Sequence, residues 1–471
     1  WATIIGLILL YLTVGYFLGG RWADRSPQPR TLYQIVVWAA VLIGVIPFAA
    51  QPVLSLASVG FQSFNAAMLG GSFLAVLILF SAPITLLGCV SPFIIRLAVS
   101  DVASAGKTSG LIYAISTAGS FVGTFLPDLL LVPTIGTRNT FVVLSLLLLG
   151  VGLVGLFRAD ARRAVLYLWM PVLVILLALL LRGQPVKAAE NAIYETESSY
   201  NYIQVIEDEN GCRLLLLNEG EGIHSVYCPE QLRTRGPWDY FLIAPYFNPP
   251  PYTSEQVERV ALIGLAAGTM ARQYTAAYGP IPIDGVEIDP QIVRVGQEYF
   301  AMELPNLHTT AADGRFYLAR SDEQYTVIGV DAYRLPYIPA HLTTVEFFQE
   351  VRDHLTDDGV VAINVGRTRS DYRLVAAMAA TLRQVFPSVH VMDVANSFNS
   401  IMVATVQPSE PRNLVENMRA LEGNDLLYAT ALQAIDTLRA TPAGTIVFTD
   451  DRAAIEWMTN ALVIEFALRG E

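Results

Sequence analysis

Apolar residues run along this 471-residue chain in two regimes, and the change falls near residues 183–189. Before it, long stretches carry almost no charge. A membrane span needs about 20 mainly apolar residues. Six stretches are expected to span: Trp1–Gly20, Leu32–Leu54, Ala67–Val90, Leu111–Val132, Phe141–Phe157 and Val165–Leu181. The third continues through SPFIIRLAV as a bent extension. Pro47, Pro83, Pro127 and Pro133 mark kinks or interfaces. The run AISTAGSFVGTF is rich in small residues and suits close helix packing. Beyond residue 190 the period shortens. YNYIQVIED, CRLLLLN and IHSVYC read as strands, with a turn at ENG. A helix is expected around Trp238–Tyr246. Strands then follow at Val257–Gly264, Ile283–Ile288, Leu307–Ala311, Tyr325–Asp331, Gly359–Val365, Val389–Val394 and Ile401–Val406. Helices fill the gaps, among them Pro290–Phe300, Thr343–His354 and Asp371–Phe386. Such alternation predicts a mainly parallel sheet covered by helices on both faces.

The expected fold class is therefore an N-terminal all-α transmembrane bundle followed by an α/β domain. That domain is Rossmann-like, with a mainly parallel seven-stranded sheet preceded by a small antiparallel β-hairpin region. The expected boundaries are 1–185 for the spans, 190–250 for the small β region and its helix, 251–408 for the core and 409–471 for a helical extension.

Composition agrees with two regimes. Only 15% of residues are charged and the mean hydropathy is positive, at +0.44, whereas a soluble domain averages about 25% charged. The net charge of -12 lacks the basic footprint that nucleic acid requires. Only Lys107 and Lys187 are lysines, which reads as genome bias. The chain opens at Trp1, inside an apolar run, so an upstream N-terminus is expected. Basic residues cluster in RWADRSPQPR, RLAVSDVASAGK and RADARR, while Ser55–Asn65 and Thr134–Arg138 hold almost none. The positive-inside rule makes the three basic loops cytoplasmic. Six spans then put the C-terminal half on the outer side. Asp128, beside Pro127, is the clear charged candidate within an apolar stretch. It reads as a solvated interface residue, and the helical half as an anchor.

In parallel α/β sheets, ligands sit at the carboxyl ends of the strands. Gly264 and Gly268 follow the first expected strand in LIGLAAGTMARQ. Glu287 closes the second, where an acid can accept from both ribose hydroxyls. Asp313–Gly314 follows the third, and Asp331 ends the fourth. Read singly, each has a plain structural role: Gly264 ends a strand, and Asp313 and Asp289 cap helices. Together they outline a nucleoside pocket.

The order of these blocks resembles spermidine synthase, within the class I S-adenosylmethionine-dependent fold. The whole chain resembles bacterial membrane proteins in which several spans precede such a domain. YFLGGRWADR, GLIYAISTAGSFVGTFLPDLLLVPTIG and TDDRAAIEWM resemble the membrane group. VERVALIGLAAGT, DGVEID, ADGRFYL and VIGVDAYRLPYIPAHLTTVEFF resemble successive blocks of the synthase. The resemblance implies that Glu287 binds the ribose of decarboxylated S-adenosylmethionine or of its thioether product. It implies that Asp313 and Gly314 contact adenine, that Tyr240 in PWDYF positions the amine, and that Asp331 takes the proton of the attacking amine. Departures accompany it. Leu265, Ala266 and Ala267 replace the family's glycines and acid, leaving no side chain to grip the amine. Phe241 replaces a glutamine, and Arg334 stands where a second aspartate is expected. Arginine stays cationic at any working pH and cannot act as a base.

Three functions remain open at this level. One is a transferase using S-adenosylmethionine or its decarboxylated form, with Arg334 favouring a neutral or anionic acceptor. Another is a non-catalytic scaffold or accessory subunit of a membrane protein complex, whose pocket stays empty. A weaker third is an NAD-dependent enzyme, although the G-x-G-x-x-G pattern is missing. The expected partners are membrane lipid and such a complex, not nucleic acid. No metal motif or nucleophile triad is visible. Cys212 and Cys228 flank a hairpin-like stretch centred near Glu219–Gly220, where a symmetric register sets them opposite each other. A disulfide there fits an outward-facing domain, and two free buried thiols fit equally. His224 reads as structural or as a pocket-lid residue. TDDRAAIEWM is expected to start a helix capped by Thr449 or Asp450, and Asp450 and Asp451 could reach the pocket.

Overall fold

The computed structural model describes residues 2–61, 67–181, 191–218, 222–333 and 337–469. Two compact units divide the chain: residues 1–189 with 196–199, and residues 190–195 with 200–471.

The first unit is helical: α1 (Ala2–Arg25), α2 (Pro29–Phe61), α3 (Ala67–Ala98), α4 (Ala105–Leu126), α5 (Val132–Ala164) and α6 (Trp169–Leu180). Among the described residues, four stretches are long and apolar enough to cross a membrane: Ile4–Arg25, Pro29–Ala50, Leu74–Ala98 and Ala105–Tyr167. The last covers two of the six expected spans. A π-helical turn at Pro127–Leu131 and non-helical backbone at Gly136 and Asp160 interrupt it. The sixth expected span corresponds to α6, which has only 12 residues. Close helix packing occurs elsewhere than in AISTAGSFVGTF. A Cβ on Gly15 of α1 would lie 2.8 Å from the Gly88 Cα of α3, and one on Gly155 of α5 would strike the Tyr33 ring of α2. Gly119 and Gly123 meet nothing within 4 Å among the described residues, and α4 buries none of its own. Small residues permit close approach but need a facing helix to realise it. Asp128 is exposed in the π-helical turn. The Arg96–Asp24 and Arg30–Asp160 pairs bring the three basic loops to one end of this unit.

The second unit begins with a four-stranded sheet in the order β1 (Ala192–Glu197), β2 (Tyr202–Glu207), β3 (Arg213–Leu217), β4 (Ile223–Tyr227). The helix α7 (Pro237–Phe241) and a 3₁₀ turn at Ala244–Phe247 follow. Pro245 accounts for the break within the expected Trp238–Tyr246 helix, since it removes a backbone donor.

Among the described residues the main sheet has eight strands, not seven: β5 (Val260–Ile263), β6 (Ile283–Glu287), β7 (Leu307–Ala311), β8 (Tyr325–Val330), β9 (Leu355–Gly366), β10 (Ser388–Asp393), β11 (Asn399–Thr405) and β12 (Leu438–Arg439). Their order is β12-β10-β11-β9-β8-β5-β6-β7. The pairs β7/β6, β6/β5, β5/β8 and β8/β9 are parallel, while β9/β11, β11/β10 and β10/β12 are antiparallel. The eighth strand is two residues long, within the segment expected to be helical, and too short for a periodicity signal.

The helices are α8 (Thr269–Tyr278), α9 (Pro290–Tyr299), α10 (Gly314–Leu318), α11 (Val345–Asp353), α12 (Arg373–Leu382), α13 (Arg412–Asn417), α14 (Asp425–Thr437) and α15 (Ile455–Arg469). Strand residues alternate between two buried apolar clusters. Val260, Leu262, Val327, Val360 and Val403 serve one, and Ala261, Ile263, Ile328, Val361 and Met402 the other. Both sheet faces are therefore covered, as parallel sheets require. The expected cap at Asp289 is present and accepts from the Gln291 amide at 3.0 Å. Thr449 and Asp450 do not cap α15, which starts at Ile455. Thr449 instead closes a turn onto Arg452.

Candidate functional site

Strand order reverses at β5: the chain goes next to β6 on one side and later to β8 on the other. The carboxyl ends of β5, β6 and β8 thus meet at a topological switch point.

The loop after β5 is set by backbone geometry. Gly264 and Gly268 have φ of +87° and +85°, which favours glycine. A Cβ on Gly264 would lie 2.5 Å from the Asp331 carbonyl oxygen, so the loop lies directly against the end of β8. Gly268 precedes α8. Between them Ala266 holds a φ of +48°. The three residues between these glycines point into apolar packing. Leu265 joins the core beneath β5. Ala266 and Ala267 pack on Ile203, Val205 and Leu215 of the small sheet and Ile292 of α9.

All five amides of this loop are already paired. Gly264 and Leu265 N–H donate to the Val286 carbonyl at 2.9 and 3.0 Å, and Gly268 N–H to the Leu265 carbonyl at 3.0 Å. Ala266 N–H donates to Glu287 Oε2 at 2.9 Å, and Ala267 N–H to Ser225 Oγ at 2.9 Å. A phosphate cradle needs free N–H groups at a helix N-terminus, so this loop is unsuited to a dinucleotide diphosphate.

Glu287 ends β6 and is buried. Its second oxygen accepts from Asp289 N–H at 3.1 Å. Burial raises its pKa to about 7 against the opposing pull of these amides. Asp289 is fully buried and receives the Asn201 side-chain amide at 3.0 Å, tying the small sheet to the strand ends.

Asp331 follows β8. Asn364, near the end of β9, donates to its Oδ1 at 2.9 Å, and the Trp238 side chain of α7 also bonds to its carboxyl. Burial again dominates and raises its pKa to about 7. Asn399 of β11 donates to Asn364 Oδ1 at 2.8 Å, and Tyr333 donates to the Asn364 carbonyl at 3.2 Å. Among the described residues neither Glu287 nor Asp331 has a cationic partner. Trp238, Asn364 and Asn399 were not singled out from the sequence. The available signal was a polar residue at the end of the apolar strand VVAINV.

The other expected site residues are engaged elsewhere. Asp313 caps α10, accepting from Arg315 and Phe316 amides at 3.0 and 3.1 Å, and His341 Nε2 lies 2.7 Å from its other oxygen. A Cβ on Gly314 would lie 2.3 Å from Ile263 Cγ2, so packing on β5 requires glycine there. Tyr240 is fully buried, and its hydroxyl accepts from the Ala395 amide at 3.3 Å. Phe241 is buried against Gly329 of β8. Asp450 pairs with Arg315 at 2.7 Å, and Arg315 also pairs with Glu350 at 2.7 Å, so the TDD block is fastened to α10. Arg334 lies outside the described residues. His224 is half-buried on β4, and burial pushes its pKa down to about 4. Among the described residues no group of three or more His, Cys, Asp or Glu could hold a metal ion. Cys212 and Cys228 form a disulfide, with Cα atoms 4.3 Å apart.

The family model of the spermine/spermidine synthase domain matches residues 248–409. A probable polyamine aminopropyl transferase of Bifidobacterium longum (strain NCC 2705) is 30% identical over 283 residues. The match covers 56% of this chain and 62% of that protein, less than two thirds of its length. A polyamine aminopropyltransferase of Vibrio vulnificus (strain CMCP6) is 29% identical over 249 residues, covering 51% and 79%. Among solved structures, a probable spermidine synthase from Corynebacterium glutamicum ATCC 13032 superposes with a TM-score of 0.42 at 20% identity, over 55% of this chain and 99% of that one. The chain carries a C-terminal spermidine synthase domain, with polyamine aminopropyltransferases among its homologues.

Proposed function

We propose that this protein is a membrane-anchored, spermidine synthase-like transferase that binds an S-adenosylmethionine-type nucleoside at the ends of β5, β6 and β8. The observation that carries this reading is the pair of carboxyls, Glu287 and Asp331, both at strand ends, both raised to about 7 and neither neutralised by a described cation. Buried acids with strongly shifted pKa values cluster at functional sites. The adenosine part of the nucleoside fits this donor set. Glu287 would accept from the ribose hydroxyls, while Asp313 and Gly314 would border the base. The loop offers the amino tail no acid and no free N–H.

A bound sulfonium supplies an activated alkyl carbon. Asp331 would accept the proton released as an acceptor nitrogen forms its bond to that carbon and the carbon–sulfur bond breaks. Trp238 and Asn364 would fix the carboxyl, and a pKa near 7 suits a base working at neutral pH. The transferred group is an aminopropyl group, as the relatives' names suggest, or a related one. We place the domain on the outer side of the membrane. The positive-inside reading of the basic loops and the Cys212–Cys228 bridge, which oxidising compartments favour, support that placement.

Calorimetry of the full-length protein in detergent, with 5′-methylthioadenosine and S-adenosylmethionine, tests the pocket. Heat of binding is expected with the former and is expected to weaken at least tenfold in Glu287→Gln. No heat with either ligand would remove the nucleoside reading. If an acceptor amine supports turnover, Asp331→Asn is expected to lower kcat by about 100-fold or more while nucleoside affinity persists.

A further inference from the structure

We propose that the Cys212–Cys228 bridge is a redox-sensitive latch that holds β4 on the β5–α8 loop and so positions the nucleoside site. The effect on ligand rests on the nucleoside reading above, whereas the effect on the loop does not.

The bridge closes the β3–β4 pair at the rung after Arg213 and Tyr227, which face each other in register. β4 is an edge strand whose ladder partner is β3. Polar contacts from successive residues of it run to the loop and to α8. Ser225 Oγ takes the Ala267 N–H at 2.9 Å. Val226 N–H donates to Thr269 Oγ1 at 2.8 Å, and that hydroxyl donates back to the Val226 carbonyl at 3.0 Å. The Arg272 guanidinium stacks over Tyr227, 4.6 Å from the ring centroid, and donates to the Cys228 and Pro229 carbonyls at 2.8 and 3.2 Å. One short strand therefore holds the loop and the first turn of α8, and a covalent tie secures it to its sheet. Ala266, whose N–H meets Glu287, immediately precedes Ala267, the first loop residue that β4 fixes. Edge strands with few ladder bonds open at low local free energy.

Both cysteines are partly exposed. A dithiol reductant opens the bridge by thiolate attack on one sulfur and resolution of the mixed disulfide. The dithiol loses two electrons and two protons to become a disulfide, and Cys212 and Cys228 become thiols. Without the tie, β4 frays, Ala267 loses its acceptor, and the Ala266–Glu287 contact loosens with it. Ser225 and Thr269 are thus positioning residues, acting through the loop.

Hydrogen exchange followed by mass spectrometry, on the full-length protein with and without a dithiol, reads the latch directly. Reduction is expected to speed exchange of the 265–272 amides at least tenfold and to leave those of β5 and β8 unchanged. Ser225→Ala is expected to reproduce the increase in the oxidised protein, and Ser225→Thr to restore protection. Methylthioadenosine affinity should fall at least tenfold on reduction. By reciprocity, saturating nucleoside should then lower the bridge's reduction potential by about 30 mV. Unchanged exchange on reduction overturns the latch, as does finding more than the Cys89 thiol free in the unreduced, denatured protein. Faster exchange with no nucleoside binding in either state supports the latch and removes the nucleoside reading instead.

Discussion

Two carboxyls with raised pKa values make the stability of the C-terminal unit depend on pH in a direction opposite to the usual acid loss. Each binds its proton more tightly folded than unfolded. The stability they contribute is complete below the unfolded carboxylate range, near pH 4, and is lost as pH rises through about 7. Asp331→Asn is therefore expected to raise the thermal midpoint at pH 8 by about 2–4 °C, what about 1 kcal/mol gives in a domain of this size. At pH 4 its midpoint should coincide with wild type. A midpoint lower than wild type at pH 8 would mean that the carboxylates are paired, not strained. Any turnover that uses Asp331 as base should rise as pH increases through about 7. Glycine positions give a second residue-scale test. Gly314→Ala places a methyl 2.3 Å from Ile263 Cγ2, and overpacking of that kind costs about 1–3 kcal/mol. Denaturant unfolding would measure it.

Between elements, single buried polar side chains do the joining. Asn417, at the end of α13, receives the Tyr252 amide and donates to the Tyr246 and Asn248 carbonyls, all within 3.0 Å. Asn417→Ala leaves three buried backbone groups unpaired and is expected to cost about 2 kcal/mol or more, visible as a lower denaturant midpoint. These joints explain what the sequence revealed and what it hid. Strands β5, β8 and β9 were legible because they hold continuous apolar runs, and Asp289 because caps have local signatures. The ribose site was proposed from strand-end position and the base site from the family resemblance, and Glu287 does end its strand. The Trp238–Asp331–Asn364–Asn399 network was not legible, since its members come from four elements and no local pattern links them. The loop alanines were visible as departures. Their packing against the small sheet was not, because it depends on how β2 and β3 lie over α9.

For the whole molecule, sidedness ties the helical unit to the chemistry of the soluble one. On the outer-side reading, an impermeant maleimide added to intact spheroplasts after mild reduction should label Cys212 and Cys228. Labelling only in inverted vesicles would put the domain on the cytoplasmic side. The two-residue strand β12 has a separate consequence. Val391 and Met392 of β10 are matched by Arg439 and Leu438, Thr441 Oγ1 caps the Val389 carbonyl at 2.6 Å, and Arg439 pairs with Asp393 at 2.9 Å. A bare β10 would offer a template for strand addition by a neighbouring copy, a hazard for proteins confined to two dimensions at a membrane. A charged, two-residue cover blunts that edge against aggregation, leaving β7 as the side of the main sheet on which any further strand would have to dock.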